Sequence, residues 1–79
     1  MLTGKIITTN KNLESHDIPT DRFYKRMEVY IFKTINKRKI PMKFAVKLCT
    51  CHDMFYVIGD CEDDESKYFI PVEWVKLDK

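Results

Sequence analysis

The stretch that most constrains this chain runs from Asp53 to Leu77. An apolar run, Met54-Phe55-Tyr56-Val57-Ile58, leads into an acidic run, Asp60-Cys61-Glu62-Asp63-Asp64-Glu65, and a second apolar run follows at Tyr68-Phe69-Ile70. Pro71 then precedes Val72-Glu73-Trp74-Val75-Lys76-Leu77. β-branched and aromatic residues suit half-buried strands, and clustered Asp suits a turn. A proline fixes its own φ and cannot donate to a ladder, so it ends strand pairing. The order predicts strand, tight turn, strand, one Pro-started helical turn and a short final strand.

Upstream, Gly4 to Thr9 is β-rich and reads as a first strand. Asn10 to Thr20 is polar, without a sustained period, and reads as a loop. Pro19-Thr20-Asp21 can open a short helix over residues 20–27, with Thr20 or Asp21 as its cap; the same residues can instead extend the next strand. Met27 to Thr34 alternates, with Met27, Val29 and Ile31 on one face and Glu28, Tyr30 and Phe32 on the other. Ile35 to Ile40 reads as a basic turn ended by Pro41. Met42 to Cys51 alternates again, and His52-Asp53 reads as a hairpin turn into Met54–Asp60. The expectation is one mainly β domain over residues 1–79, with residues 1–20 partly loop, five to six antiparallel strands and little helix. A compact α+β fold is the runner-up.

A chain of 79 residues with 44% hydrophobic and 13% aromatic content supports one small core. No apolar run reaches the roughly 18 residues of a membrane span, and the N-terminus lacks the pattern of a secretory signal, so a cytoplasmic location is expected. Three cysteines without an export signal read as free thiols. The net charge is only +2, yet residues 1–47 carry 11 Lys/Arg against 4 Asp/Glu, and residues 48–79 carry 3 against 8.

The run Phe69-Ile70-Pro71-Val72-Glu73-Trp74-Val75-Lys76-Leu77 resembles the SH3 domain and the wider class of SH3-like small barrels. In that family the fourth strand ends in a Pro, one helical turn follows, and an aromatic and a Val open the last strand. The resemblance implies an SH3-like antiparallel barrel, closed near Trp74. It departs at Val29-Tyr30-Ile31-Phe32-Lys33, where the family has an acidic-aromatic motif, and at Met54-Phe55, where the family opens its third strand with Trp. Only Pro71 and Trp74 carry over from the family's proline-peptide groove, so the resemblance bears on fold more than on ligand.

Cys49, Cys51, His52 and Cys61 have the residue types of a zinc site but not the paired spacing of one. A hairpin about His52-Asp53 would put Cys49 opposite Tyr56 and Cys61 more than about 15 Å away; no metal or other cofactor is expected. His16 and His52 show no nucleophile and orienting acid beside them, so no enzyme is expected. The acidic run lacks the glycine of a calcium loop and reads as a solvated tip. The basic residues Arg22, Lys25, Arg26, Lys33, Lys37, Arg38, Lys39, Lys43 and Lys47 are interleaved with Phe23, Tyr24, Tyr30 and Phe32. Cations with rings suit single-stranded nucleic acid, although the sequence pI of 8.4 falls below that of dedicated binders.

The expected function is a non-enzymatic protein-binding module, a monomer or weak homodimer acting as adaptor or inhibitor of another protein. By analogy, phages and mobile elements encode such tiny domains. Single-stranded nucleic acid is the alternative target. Expected anchors are Tyr30, Phe32 and Trp74, rimmed by Lys37, Arg38 and Lys39 and by Glu62, Asp63, Asp64 and Glu65.

Overall fold

The computed structural model of the chain describes residues 2–41, 52–63 and 68–78. Five strands, β1 (Leu2–Ile6), β2 (Glu28–Asn36), β3 (Met54–Gly59), β4 (Tyr68–Pro71) and β5 (Val75–Leu77), form one antiparallel sheet in the order β4-β3-β2-β1-β5. The C-terminal succession expected from the sequence is present: β3, a turn, β4, a 3-10 turn at Val72–Trp74, then β5. The mainly β reading holds.

Closure does not. Among the described residues β4 and β5 pair with β3 and β1 respectively and not with each other, so the sheet is open where a closed barrel was expected. The connection nevertheless draws the two edges together. In a flat sheet the two edges would stand about 19 Å apart, four strand spacings. The 3-10 turn from Pro71 to Val75 reaches only about 8 Å. The sheet must therefore curl until β4 and β5 converge at this turn. Pro71 opens the turn without a ladder donor, and the Val75 N–H is used on the Val72 carbonyl.

The helix is also not where it was expected. Residues 10–20 contain α1 (Asn10–Ser15), and residues 20–27 form two successive turns. Thr9 caps α1, its hydroxyl accepting from the Asn12 N–H, and Ser15 donates to the Asn12 carbonyl at 2.7 Å. At the other end Asp17 adopts φ 61°, the Ile18 N–H reaches Leu13 O, and the Asp17 N–H reaches Glu14 O. This is a Schellman ending, and its hydrophobic pair, Leu13 and Ile18, is buried. The Pro19 carbonyl then accepts from Arg22 and Phe23, a single turn that drives Phe23 into the core before the chain reverses at Tyr24–Met27.

The core gathers Ile6, Leu13, Ile18, Phe23, Val29, Ile31, Ile58, Ile70 and Val75. The two faces of β2 separate as its alternation requires: Val29 and Ile31 are buried, Tyr30 and Phe32 half-buried. A register shift between Ile31 and Lys33 then lets β2 run on to Asn36, so the expected basic turn shrinks to a 3-10 turn at Lys37–Lys39. β1 begins at Leu2 and ends at Ile6, earlier than expected. Gly4 is needed because a Cβ there would lie 2.8 Å from Val75 Cγ1 and 2.9 Å from Lys76 O. The strand expected over Met42–Cys51, with Cys49 and Cys51, lies outside the described residues. Both edges of β3 are taken by β2 and β4, and Tyr56 stands opposite Thr34 and Ile70. The expected opposition of Cys49 and Tyr56 falls on Cys49, which lies outside the described residues. No helix among the described residues is long and apolar enough to cross a membrane.

Candidate functional site

Register decides what the sheet shows on its outer face. Lys5 stands between Glu28 of β2 and Lys76 of β5, and directly opposed residues share a face. Lys5 and Lys76 are thus like charges held side by side, an arrangement that destabilises a sheet. On the same face, Thr3 donates to an Asp78 carboxylate oxygen at 2.6 Å. The neighbouring Asp78 carboxyl raises that of Glu28, and hydrogen bonding with Glu28 and Thr3 lowers that of Asp78.

Beside this face stands the turn Tyr24–Met27, closed by the Met27 N–H on Tyr24 O at 3.0 Å. Of its two central residues only Arg26 has a positive φ, 76°, which is the type II pattern and normally calls for Gly. Three more bonds hold the turn in place. Arg26 N–H donates to Ile6 O at 2.7 Å, Ile6 N–H to Met27 O, and Lys25 N–H to Asn10 Oδ1 of α1.

Between turn and sheet lies a groove of about 450 Å³. Its cations are Lys5 and Lys76 on the sheet side and Lys25 and Arg26 on the turn side. Ile6, Ile7, Leu77 and Asp78 complete its lining; Ile7 is 51% exposed, whereas Ile6 is buried and Leu77 packs against the core. Lys25, Arg26 and Lys76 have no ion-pair partner among the described residues. The arrangement can hold an anionic group at each wall and an apolar group between them.

A second cluster surrounds Trp74. The His16 ring lies 4.5 Å from the indole and the His52 ring 5.5 Å, while His52 Nδ1 meets Glu73 Oε1 at 3.1 Å. His52 thus has an acid beside it. His16, expected in a polar loop, is instead the buried C-cap of α1. Its Nδ1 has no hydrogen-bond partner among the described residues. Burial and the neighbouring His52 both push its pKa down, which keeps the ring neutral. No described nucleophile joins these imidazoles, and the described residues contain no group of three or more potential metal ligands.

The residues expected to form one surface are dispersed. Tyr30 lies on the outer face opposite Thr3 and Gly59, and Phe32 sits at the β2 irregularity, both half-buried. Lys37, Arg38 and Lys39 occupy the other end of β2, about 20 Å along the strand from Tyr30. There the Lys37 N–H donates to Asp53 O and the Arg38 N–H to Asn36 Oδ1. Glu62 and Asp63 are exposed in the turn at the Gly59 end of β3, and Asp64 and Glu65 lie outside the described residues. Arg22 ties this turn down, with Nε on Asp60 Oδ2 at 3.0 Å and Nη1 on the Tyr68 hydroxyl. Cys61 bonds to Asp63, which pushes its thiol pKa up and away from thiolate reactivity. Trp74 is half-buried against the core and the histidines. Lys5, Lys76, Ile7 and Leu77 were not singled out from the sequence, because only the β1–β5 pairing brings residues 5 and 76 together. Compared with models of protein families, curated proteins and solved structures, the chain matches none.

Proposed function

We propose that this chain is a non-enzymatic protein-binding module, an adaptor or inhibitor whose contact surface is the outer face of β1 and β5 with the Tyr24–Met27 turn. The observation that carries this is the groove in which Lys25, Arg26 and Lys76, with no ion-pair partner among the described residues, stand beside the exposed Ile7. A site with cations at its rim and aliphatic area at its centre suits steered, specific protein contact. The SH3-like resemblance of the C-terminal run is part of this proposal, supported by Pro71 at the end of β4 and Trp74 ahead of β5. A polyproline ligand does not fit this groove, which offers charge and aliphatic side chains instead of stacked rings. Single-stranded nucleic acid fits less well for the same reason, since bases need rings beneath them. The test is affinity capture from a nuclease-treated lysate with the wild type and with a Lys25→Glu/Lys76→Glu variant. A protein retained by the first and lost by the second supports the module; equal retention by both contradicts it.

A further inference from the structure

We propose that the groove recognises an extended segment of its partner in which acidic side chains flank an apolar one. This rests on the protein-binding reading above and specifies its ligand. The groove is lined by cations from two elements, Lys5 and Lys76 of the sheet and Lys25 and Arg26 of the turn, and by Ile7, which is 51% exposed. A ligand complementary to that cross-section is charged at its margins and apolar at its middle. In an extended chain, alternate side chains lie about 6.8 Å apart on one face, which lets one segment present such a pattern.

Two costs built into the fold point to the same place. Lys76 stands opposite Lys5, whose own charge faces Glu28 and Asp78, so an anionic ligand chiefly relieves the repulsion felt by Lys76. Arg26 is held at φ 76° where Gly would be unstrained, and hydrogen bonds from α1 and β1 fix the turn around it. Strain of this kind, retained by over-determined surroundings, is concentrated at functional sites. What Arg26 contributes in return is a guanidinium at the groove wall. No aromatic side chain lines the groove among the described residues, which disfavours a nucleic acid.

The test is fluorescence anisotropy with a labelled nine-residue peptide whose odd positions alternate Asp and Leu, with Ser between them, so that acids and Leu share one face. An all-acidic peptide of equal charge and a fifteen-nucleotide oligothymidine serve as competitors. The alternating peptide should bind about tenfold more tightly than the all-acidic one, as one buried apolar side chain warrants. Lys25→Glu and Lys76→Glu should each weaken it about tenfold, and Arg26→Gly about threefold, with thermal melts confirming that the variants are folded. Equal binding by wild type and these variants overturns the proposal, as does preference for oligothymidine. Concentration-dependent self-association lost in the same variants also overturns it, naming the acidic run of a second copy as the occupant. If the peptide fails while the captured protein still depends on Lys25 and Lys76, the ligand chemistry is wrong and the protein-binding reading stands.

Discussion

Arg26, Gly4 and His16 each sit where the fold leaves one choice of geometry, and each makes a measurable prediction. Replacing Arg26 by Gly removes the left-handed strain of a side-chain-bearing residue and should raise stability by about 0.5–1 kcal/mol in denaturant titration, while weakening ligand binding. A variant that is more stable yet binds less well separates folding from function at one position. Gly4→Ala should act oppositely: the added methyl meets Val75 and the Lys76 carbonyl, and forcing β5 away from β1 should cost about 1–3 kcal/mol. His16 is buried with its pKa lowered from 6.5, so the unfolded chain binds its proton first as pH falls. Stability from this residue is intact above pH 6.5 and declines as pH drops below it toward the lowered native value. Its slope is at most about 1.4 kcal/mol per pH unit. Denaturant midpoints from pH 7 to 5 should show this slope in the wild type and a flatter one in His16→Gln. None of these roles could be read from the sequence. Tyr24-Lys25-Arg26-Met27 holds no Gly or Asn to mark a positive φ, and His16 follows a polar run that gives no sign of burial.

The strands were more legible than the helix. β3, β4 and β5 follow from apolar runs, an acidic break and Pro71, features that act locally and leave a mark in composition. α1 escaped because it contributes one apolar side chain, Leu13, within six residues, too short for a helical period to register. Its signals were its ends: Thr9 as cap, and Asp17 where the chain turns left-handed with Leu13 and Ile18 packed across it. So short a helix depends on those ends. Thr9→Ala should cost about 1 kcal/mol, measured by chemical denaturation. Because Asn10 also fixes the Lys25 N–H, fraying α1 should weaken groove binding without touching a groove side chain. The candidate site was half legible. Lys25 and Arg26 stood in the basic set, but their sheet-side counterparts appear only when β1 pairs with β5, residues separated by nearly the whole chain.

Across the whole molecule, charge is sorted by position on the sheet more than by sequence half. The acidic turn and the Lys37–Lys39 turn occupy opposite ends of the β2–β3 pair, and the groove lies elsewhere, across β1 and β5. Arg22 partly neutralises the acidic end through Asp60. Among the described residues, basic side chains of the first half gather at Lys37–Lys39, at one end of β2, and at Lys5, Lys25 and Arg26, in the groove. The curl that brings β4 toward β5 at the Val72–Trp74 turn sets Lys76 beside the groove, because β5 enters the sheet through this connection. The most direct test of this account is a backbone amide NMR titration with the captured partner protein or the alternating acidic peptide. The account predicts shifts confined to Lys5, Ile7, Lys25, Arg26, Lys76 and Leu77 and their immediate neighbours. Shifts centred on Lys37–Lys39 or on Glu62 and Asp63, with the groove amides unmoved, would contradict it.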